Sequence, residues 1–355
     1  MPGEFEPHAG CWMLWPQRPD NWRRRAQPAQ QAFAAVATAI ARFEPVTVGA
    51  EAAQYRSARG QLPPSVRVVE ISSNDAWMRD VGPSFLVNAA GAQRGVHWRF
   101  NAWGGLYRHY ELDQLVAQKV LEIAGCERYC APLVNEGGAI HVDGQGTLLA
   151  TEQCLLNPNR NPTLTRERIE ALLARYLGVR CVIWLERGVI DDETSGHIDN
   201  LACFARPGEV CLTWTEDTRD PQQRVCAAAL ERLLQARDAR GRRLKVHRIP
   251  APGPLYLTRR EAGGILPSRE IRPLRAGQRL AASYINFYPA NGAIIMPLLD
   301  AHTDAAARAA LQRVFPERRV VGVAAREILL GGGNIHCITQ QQPHVRRRRT
   351  AGSRA

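Results

Sequence analysis

Residues 283–299 read Ser-Tyr-Ile-Asn-Phe-Tyr-Pro-Ala-Asn-Gly-Ala-Ile-Ile-Met-Pro-Leu-Leu, two apolar runs that meet at Asn291-Gly292. Asn-Gly between such runs is a strong hairpin signal, because both residues tolerate the positive φ of a tight turn. Residues 305–314 follow with the apolar spacing of a helix, and 319–323, Arg-Val-Val-Gly-Val, read as a strand. Strand, strand, helix, strand is therefore one structural unit.

The unit recurs along the chain. Residues 138–152 give a hairpin turning at Asp143-Gly144, then a helix at 165–176 and a strand at 181–185. Residues 199–213 turn at Pro207-Gly208, ahead of a helix at 222–237 and a strand at 244–249. A further copy runs through 83–100, 112–123 and 129–133. The beginning supplies only 10–15, 28–43 and 46–49, one strand short, while 328–340 are left over after the last copy. Joining the two ends completes a fifth unit. The expected fold is an α/β, five-bladed pseudo-symmetric propeller, a single domain over residues 1–343 followed by a basic tail at 344–355.

The chain has 355 residues, 45% of them hydrophobic, enough for a sizeable core. Its longest apolar helix pattern, residues 32–41, is far shorter than the ~20 residues of a membrane span. Met1-Pro2-Gly3-Glu4-Phe5-Glu6 has no apolar signal core, so a cytoplasmic location is expected. The cysteine count is nine, odd and scattered, which favours reduced thiols. Cys126 and Cys130 lack the further ligands of a zinc site and read as structural. The net charge of +12 is nearly all arginine, with Lys119 and Lys245 the only lysines, and Arg346 to Arg349 with Arg354 contribute five charges in the tail. No aromatic residue interleaves with that run to stack on bases, so no nucleic-acid partner is expected.

Chemistry-bearing residues stand at equivalent places, just ahead of the hairpins. Trp77-Met78-Arg79-Asp80, Asn135-Glu136-Gly137-Gly138 and Gly196-His197-Ile198-Asp199 enter three units, and Gly331-Gly332-Gly333-Asn334-Ile335-His336-Cys337 closes the ring. Equivalent positions of a ring meet near its axis, which gathers Asp80, Glu136, His197, Asp199 and Cys337. The glycine-opened turn is expected to present Cys337 on a short apolar strand, and strand alternation to put His197 and Asp199 on one face. Carboxylates gathered around a thiol repel one another unless a cation enters, so the site suits something positive. There is no phosphate-binding glycine loop and no paired metal-ligand motif, and no metal or organic cofactor is expected.

These residues resemble the agmatine deiminases, guanidine-modifying enzymes of the pentein fold. The resemblance runs over residues 1–343 and rests on Met1-Pro2, Glu4-Phe5-Glu6-Pro7-His8, Trp15-Pro16, Arg18-Pro19-Asp20-Asn21-Trp22, Asn74-Asp75-Ala76-Trp77-Met78-Arg79-Asp80, Glu136-Gly137-Gly138, Asn157-Pro158-Asn159-Arg160-Asn161-Pro162, Gly196-His197-Ile198-Asp199-Asn200 and Cys337 leading into Gln340-Gln341-Gln342-Pro343. It implies hydrolysis of agmatine to N-carbamoylputrescine and ammonia. Cys337 would be the nucleophile, His197 the acid and base, Asp80 and Asp199 the carboxylates that grip the guanidinium, and Glu136 an orienting group. Trp77 would lie against the substrate or serve as a core aromatic. Other guanidine-modifying reactions, on arginine, peptidyl-arginine, methylarginine or an amine acceptor, keep the same constellation, and a non-catalytic RNA-binding pentein is the remote alternative. A homodimer is implied. Three features depart from the resemblance: the segment that usually precedes Met-Pro is absent, Ser195 replaces an expected acidic or amide residue, and the arginine tail after His344 is unlike the family.

Overall fold

The computed structural model describes residues 1–269 and 275–345; Arg346 to Arg349 and Arg354, which carry the basic tail, lie outside the described residues. Among those described, the strands form five small sheets. In the fifth, Tyr288–Ala290 and Ala293–Leu298 pair antiparallel about Asn291-Gly292, with Gly292 at φ +77°, and Ala293–Leu298 pairs parallel with Arg319–Ala324. A parallel pair needs a crossover, supplied by the helix Asp304–Val314. Ala307, Ala310, Leu311 and Val314 of that helix are buried, the i, i+3, i+4, i+7 stripe that packs it on its own sheet.

Three other sheets repeat this plan. They are Ser84–Val87, Gln93–Arg99 and Glu127–Val134; Ile140–Val142, Thr147–Thr151 and Cys181–Leu185; and Ala202–Arg206, Glu209–Trp214 and Lys245–Pro250. Their crossover helices are Asp113–Ala124, Arg166–Leu177 and Gln222–Gln235. The remaining sheet has four strands in the order Gln340–Pro343, His8–Leu14, Val46–Ala50, Arg67–Glu70. The last of these, which follows the short helix Tyr55–Gln61, was not foreseen: Arg-Val-Val-Glu at 67–70 is too short and too polar at its ends to stand out. Gln340–Pro343 runs antiparallel to His8–Leu14, from Trp12↔Gln340 to His8↔Pro343, so the two ends complete one blade as expected.

Apolar side chains are shared between successive blades. Leu149, Ile183 and Leu185 pack with Phe204, Val210 and Leu212; Cys203 and Cys211 pack with Phe287, Ile294 and Met296; Tyr288 and Ile295 join Trp12, Val46 and Val48 of the four-stranded sheet. Each blade thus buries a face against its neighbour, at roughly 1.5–3 kcal/mol per large aliphatic or aromatic side chain.

Two local expectations are corrected. Cys337 is not on a strand: the Ile338 N–H donates to the Asn334 carbonyl at 3.3 Å and the Thr339 N–H to the His336 carbonyl at 3.1 Å, a tight turn ending before the strand begins at Gln340. His197 and Asp199 do not alternate on a strand either, because Ile198–Asn200 is a single 3-10 turn that His197 precedes. Both runs are short and apolar, where periodicity does not separate strand from helical turn. No helix among the described residues is long and apolar enough to cross a membrane.

Candidate active site

The ring brings the four chemistry-bearing segments together. Cys337 and His197 line one cleft of about 390 Å³ with Trp77, Asp80, Trp103, Tyr107, Glu193, Asn200 and the three glycines 331–333. Asp199 reaches it from beneath, its Oδ2 lying 3.4 Å from Cys337 Sγ. His197 stands between two carboxylates, with Nδ1 3.9 Å from Asp80 Oδ1 and Nε2 3.5 Å from Glu136 Oε2. All five proposed polar groups are buried.

Neighbouring groups fix each of them. Asp80 accepts from the Gly138 N–H and from Trp103 Nε1, both at 2.9 Å. Arg160 Nε donates to Glu136 Oε1 at 2.8 Å, and Arg160 in turn contacts Ser195 Oγ at 3.4 Å. Ser195, at φ +70°, therefore sits behind Arg160. Cys337 is held by Asn286, whose Nδ2 donates to Sγ at 3.3 Å and whose Oδ1 accepts from the His336 N–H at 3.0 Å. The Arg79 N–H donates to the Cys337 carbonyl at 3.0 Å. Trp77 lines the cleft and packs on Trp22 with ring centroids 5.1 Å apart.

A second layer lies below. His336 Nδ1 is 2.9 Å from Asp199 Oδ2, and its Nε2 is 2.8 Å from Glu4 Oε2. Since both ring nitrogens face carboxylate oxygens, His336 donates from both and is an imidazolium. Arg79 Nη1 donates to Glu4 Oε1 at 2.9 Å and to Gln341 Oε1 at 2.8 Å. Neither His336 nor Glu4 was assigned a role from sequence, and their contact spans almost the whole chain. Asn286 had a signal: it enters the fifth hairpin at the place where the other units carry Asp80, Glu136 and Asp199.

The electrostatics follow from burial and charge. Burial, then the negative charges of Asp199 and Asp80, pushes the Cys337 thiol well above its usual pKa. Burial raises Asp80 to about 6, with His197 opposing and Asp199 and Glu136 adding to the rise. Burial disfavours charge on His197, but Asp80, Cys154 and Glu136 together outweigh it and hold the imidazolium well above its ordinary value. Burial likewise opposes ionisation of Glu136 and Asp199, and Arg160 on the one and His336 on the other more than offset it. Carboxylates facing a thiol at a concave surface make a receptor for a planar cation of fixed N–H geometry.

Gly138 is the tightest point. A Cβ there would lie 2.6 Å from His197 Nδ1 and 2.9 Å from both Asp199 Oδ2 and Asp80 Oδ1. Gly138→Ala is expected to lower kcat by about 100-fold, the scale of a displacement near 1 Å in a positioned site. The check is steady-state kinetics beside a thermal melt; wild-type kcat in the variant would show that these three groups need not hold this spacing.

The chain matches the Porphyromonas-type peptidyl-arginine deiminase family over residues 1–343. It is 56% identical over 353 residues to an agmatine deiminase of Pseudomonas fluorescens, covering 98% of this chain and 96% of that one. With an agmatine deiminase of Pseudomonas aeruginosa it shares 57% identity over 353 residues, with the same coverage. A solved agmatine deiminase of Enterococcus faecalis superposes with a TM-score of 0.94 at 46% identity, over 98% of this chain and 96% of that one. With the folded ring matched from end to end, the chain belongs to the Porphyromonas-type peptidyl-arginine deiminase family.

Proposed function

We propose that the chain is an agmatine deiminase, hydrolysing agmatine to N-carbamoylputrescine and ammonia through Cys337. The observation that carries the substrate is the charge pattern of the cleft. Asp80 lies at its inner end, and Glu193 lines both the cleft and the wider groove outside it, which is bounded by Tyr256 and Arg279. Agmatine has a cation at each end. An arginine substrate would need a cation to meet its α-carboxylate; among the described residues no arginine lines this cleft, Arg275 and Arg279 lie only in the wider groove, and Arg279 there donates to Asp220 Oδ1 at 2.7 Å.

In this reading Asp80 and Asp199 take the guanidinium N–H groups, while Trp77 and Trp103 flank the ligand. The guanidinium offsets the two negative charges that keep Cys337 protonated, so the thiol gives its proton to solvent and becomes the thiolate. Sγ attacks the guanidinium carbon, and His197 gives its proton to the departing nitrogen as the C–N bond breaks and ammonia leaves. The neutral imidazole then takes a proton from water, whose oxygen attacks the amidino carbon; the C–S bond breaks and releases the ureido product. Glu136, fixed by Arg160, keeps His197 in place. Residues 1–343 act as one catalytic domain of a cytoplasmic homodimer, with no nucleic acid and no cofactor; a monomer mass by light scattering at micromolar protein would remove the dimer.

The test is ammonia and ureido-product formation from agmatine, arginine and a blocked arginyl peptide in parallel. Turnover of agmatine alone is expected, and Glu193→Gln should raise its KM about 10-fold or more, the scale of a partly buried charge-assisted hydrogen bond. Preference for arginine would overturn the substrate. The state of the thiol gives a separate prediction. Because burial and two carboxylates raise the thiol, the thiolate of the free enzyme grows only as pH climbs past the ordinary cysteine range. Alkylation of Cys337 by iodoacetamide, followed by mass, should therefore still be accelerating above pH 9. A plateau near pH 7 would mean a thiolate–imidazolium pair exists before substrate binds.

A further inference from the structure

Cys154 lies beside the catalytic groups without lining the cleft. It sits on the short turn Glu152–Leu155, where the Thr151 hydroxyl accepts from the Cys154 N–H at 3.2 Å. Its Sγ, a carboxylate oxygen of Glu136 and a ring nitrogen of His197 all lie within 4.8 Å of one another, and all three residues are buried. We infer that Glu136, Cys154 and His197 form a reversible inhibitory site for a thiophilic divalent cation, for which Zn2+ is the probe.

Two of the three donor atoms face each other at 3.5 Å. Neither His197 Nε2 nor Glu136 Oε2 makes a hydrogen bond among the described residues, although both are fully buried. Arg160 engages only the other oxygen, Oε1, and so turns Oε2 inward. The thiol's hydrogen bond to the Thr194 carbonyl is long at 3.8 Å. The 3.5 Å between Nε2 and Oε2 fits a tetrahedral edge of about 3.4 Å, given zinc–nitrogen and zinc–oxygen bonds of about 2.0–2.2 Å. Sulfur, nitrogen and oxygen donors on three sides leave a fourth position for water.

Charge also balances. The empty centre holds a carboxylate, an imidazolium and a thiol. A dication that displaces one proton from His197 and one from Cys154, both passing to solvent, leaves the net charge unchanged, so no extra charge has to be buried. With Nε2 bonded to the metal the ring can no longer be an imidazolium, and the acid that protonates the leaving ammonia is lost.

A rival cluster, Glu4, His141 and His336, has no such vacancy. His141 Nδ1 accepts the Phe204 N–H at 3.2 Å, so its proton lies on Nε2, facing Glu4. His336 and Arg79 already occupy Glu4.

The experiment uses the full chain stripped with a chelator. Zn2+ is expected to inhibit reversibly at about one ion per chain, and Cys154→Ala to raise the half-inhibiting concentration by about 100-fold or more, since even outer-shell changes cost 10–100-fold in metal affinity. Each variant is referred to its own zinc-free rate. Binding is read separately with Co2+ on Cys337→Ala, where a thiolate-to-cobalt absorption band should persist and then vanish on adding Cys154→Ala or His197→Ala. This readout needs no turnover, so it stands or falls apart from the deiminase reading. An unchanged half-inhibiting concentration in Cys154→Ala, or a cobalt band that requires Cys337 instead of Cys154, overturns the site.

Discussion

Cys337→Ala is expected to lower kcat/KM for agmatine by about four orders of magnitude or more, the scale of losing a covalent nucleophile that acts as one unit with its base. A guanidinium is resonance-stabilised, and the cleft offers no second thiol to attack it among the described residues that line it. The alanine variant should still bind. Asp80, Asp199 and the aromatic walls remain, so the agmatine Kd measured by calorimetry should move by no more than a few-fold. The two results together separate a lost reaction from a lost site. Residual turnover above about 1% of wild type would mean that water attacks directly, with Cys337 only a wall of the cleft.

Asp199→Asn should give the second largest effect, and in two opposite directions. Oδ2 of Asp199 accepts from His336 and faces Cys337 Sγ, so one oxygen joins the nucleophile to the layer beneath it. Removing one partner of a buried charge pair costs about 3–5 kcal/mol, or about 10² to 10⁴ in kcat/KM if the guanidinium feels the same loss. The free thiol responds the other way. Asp199 is the foremost charge raising the pKa of Cys337, after burial itself. Its neutralisation lowers that pKa, so alkylation of Cys337 near pH 8 should quicken while turnover collapses. Slower alkylation in the variant would show that Asp199 orients the thiol more than it suppresses the thiolate.

The fold was legible because its signals are local and repeat. Asn291-Gly292, Asp143-Gly144 and Pro207-Gly208 mark hairpins by turn chemistry alone, and the helices behind them show ordinary amphipathic spacing. Closure followed from a shortage, one strand missing at the start and one segment spare at the end. Asp80, Glu136, His197, Asp199 and Cys337 could be gathered on paper because a ring brings equivalent positions together. What escaped had no local mark. Glu4 and His336 meet through the ring axis, and each looks like an ordinary polar residue in its own stretch. Trp103 reaches Asp80 from a turn in which Ala102 and Trp103 both take φ +54°, a conformation no propensity would suggest. Cys154 lies on a helical turn after a hairpin and passes for a small core residue. The misreading around Cys337 has a tertiary cause: Asn286, from another blade, binds the His336 N–H and the thiol and holds the segment in a turn.

Because His8 pairs with Pro343 and Glu4 bonds His336, two stretches 332 positions apart depend on each other. During synthesis four blades can form in order while the first waits for its outermost strand. Cys337 arrives with the later of the two stretches, so a nascent chain has Asp80, Glu136 and Asp199 in place before this thiol joins them. Truncation ahead of Cys337 removes the seam strand Gln340–Pro343 together with the thiol. The same adjacency makes the order of the blades arbitrary. Joining the ends by a short linker and opening the chain at Pro207-Gly208 should give a permuted protein with the same ring, one in which Cys337 is made early and His197 late.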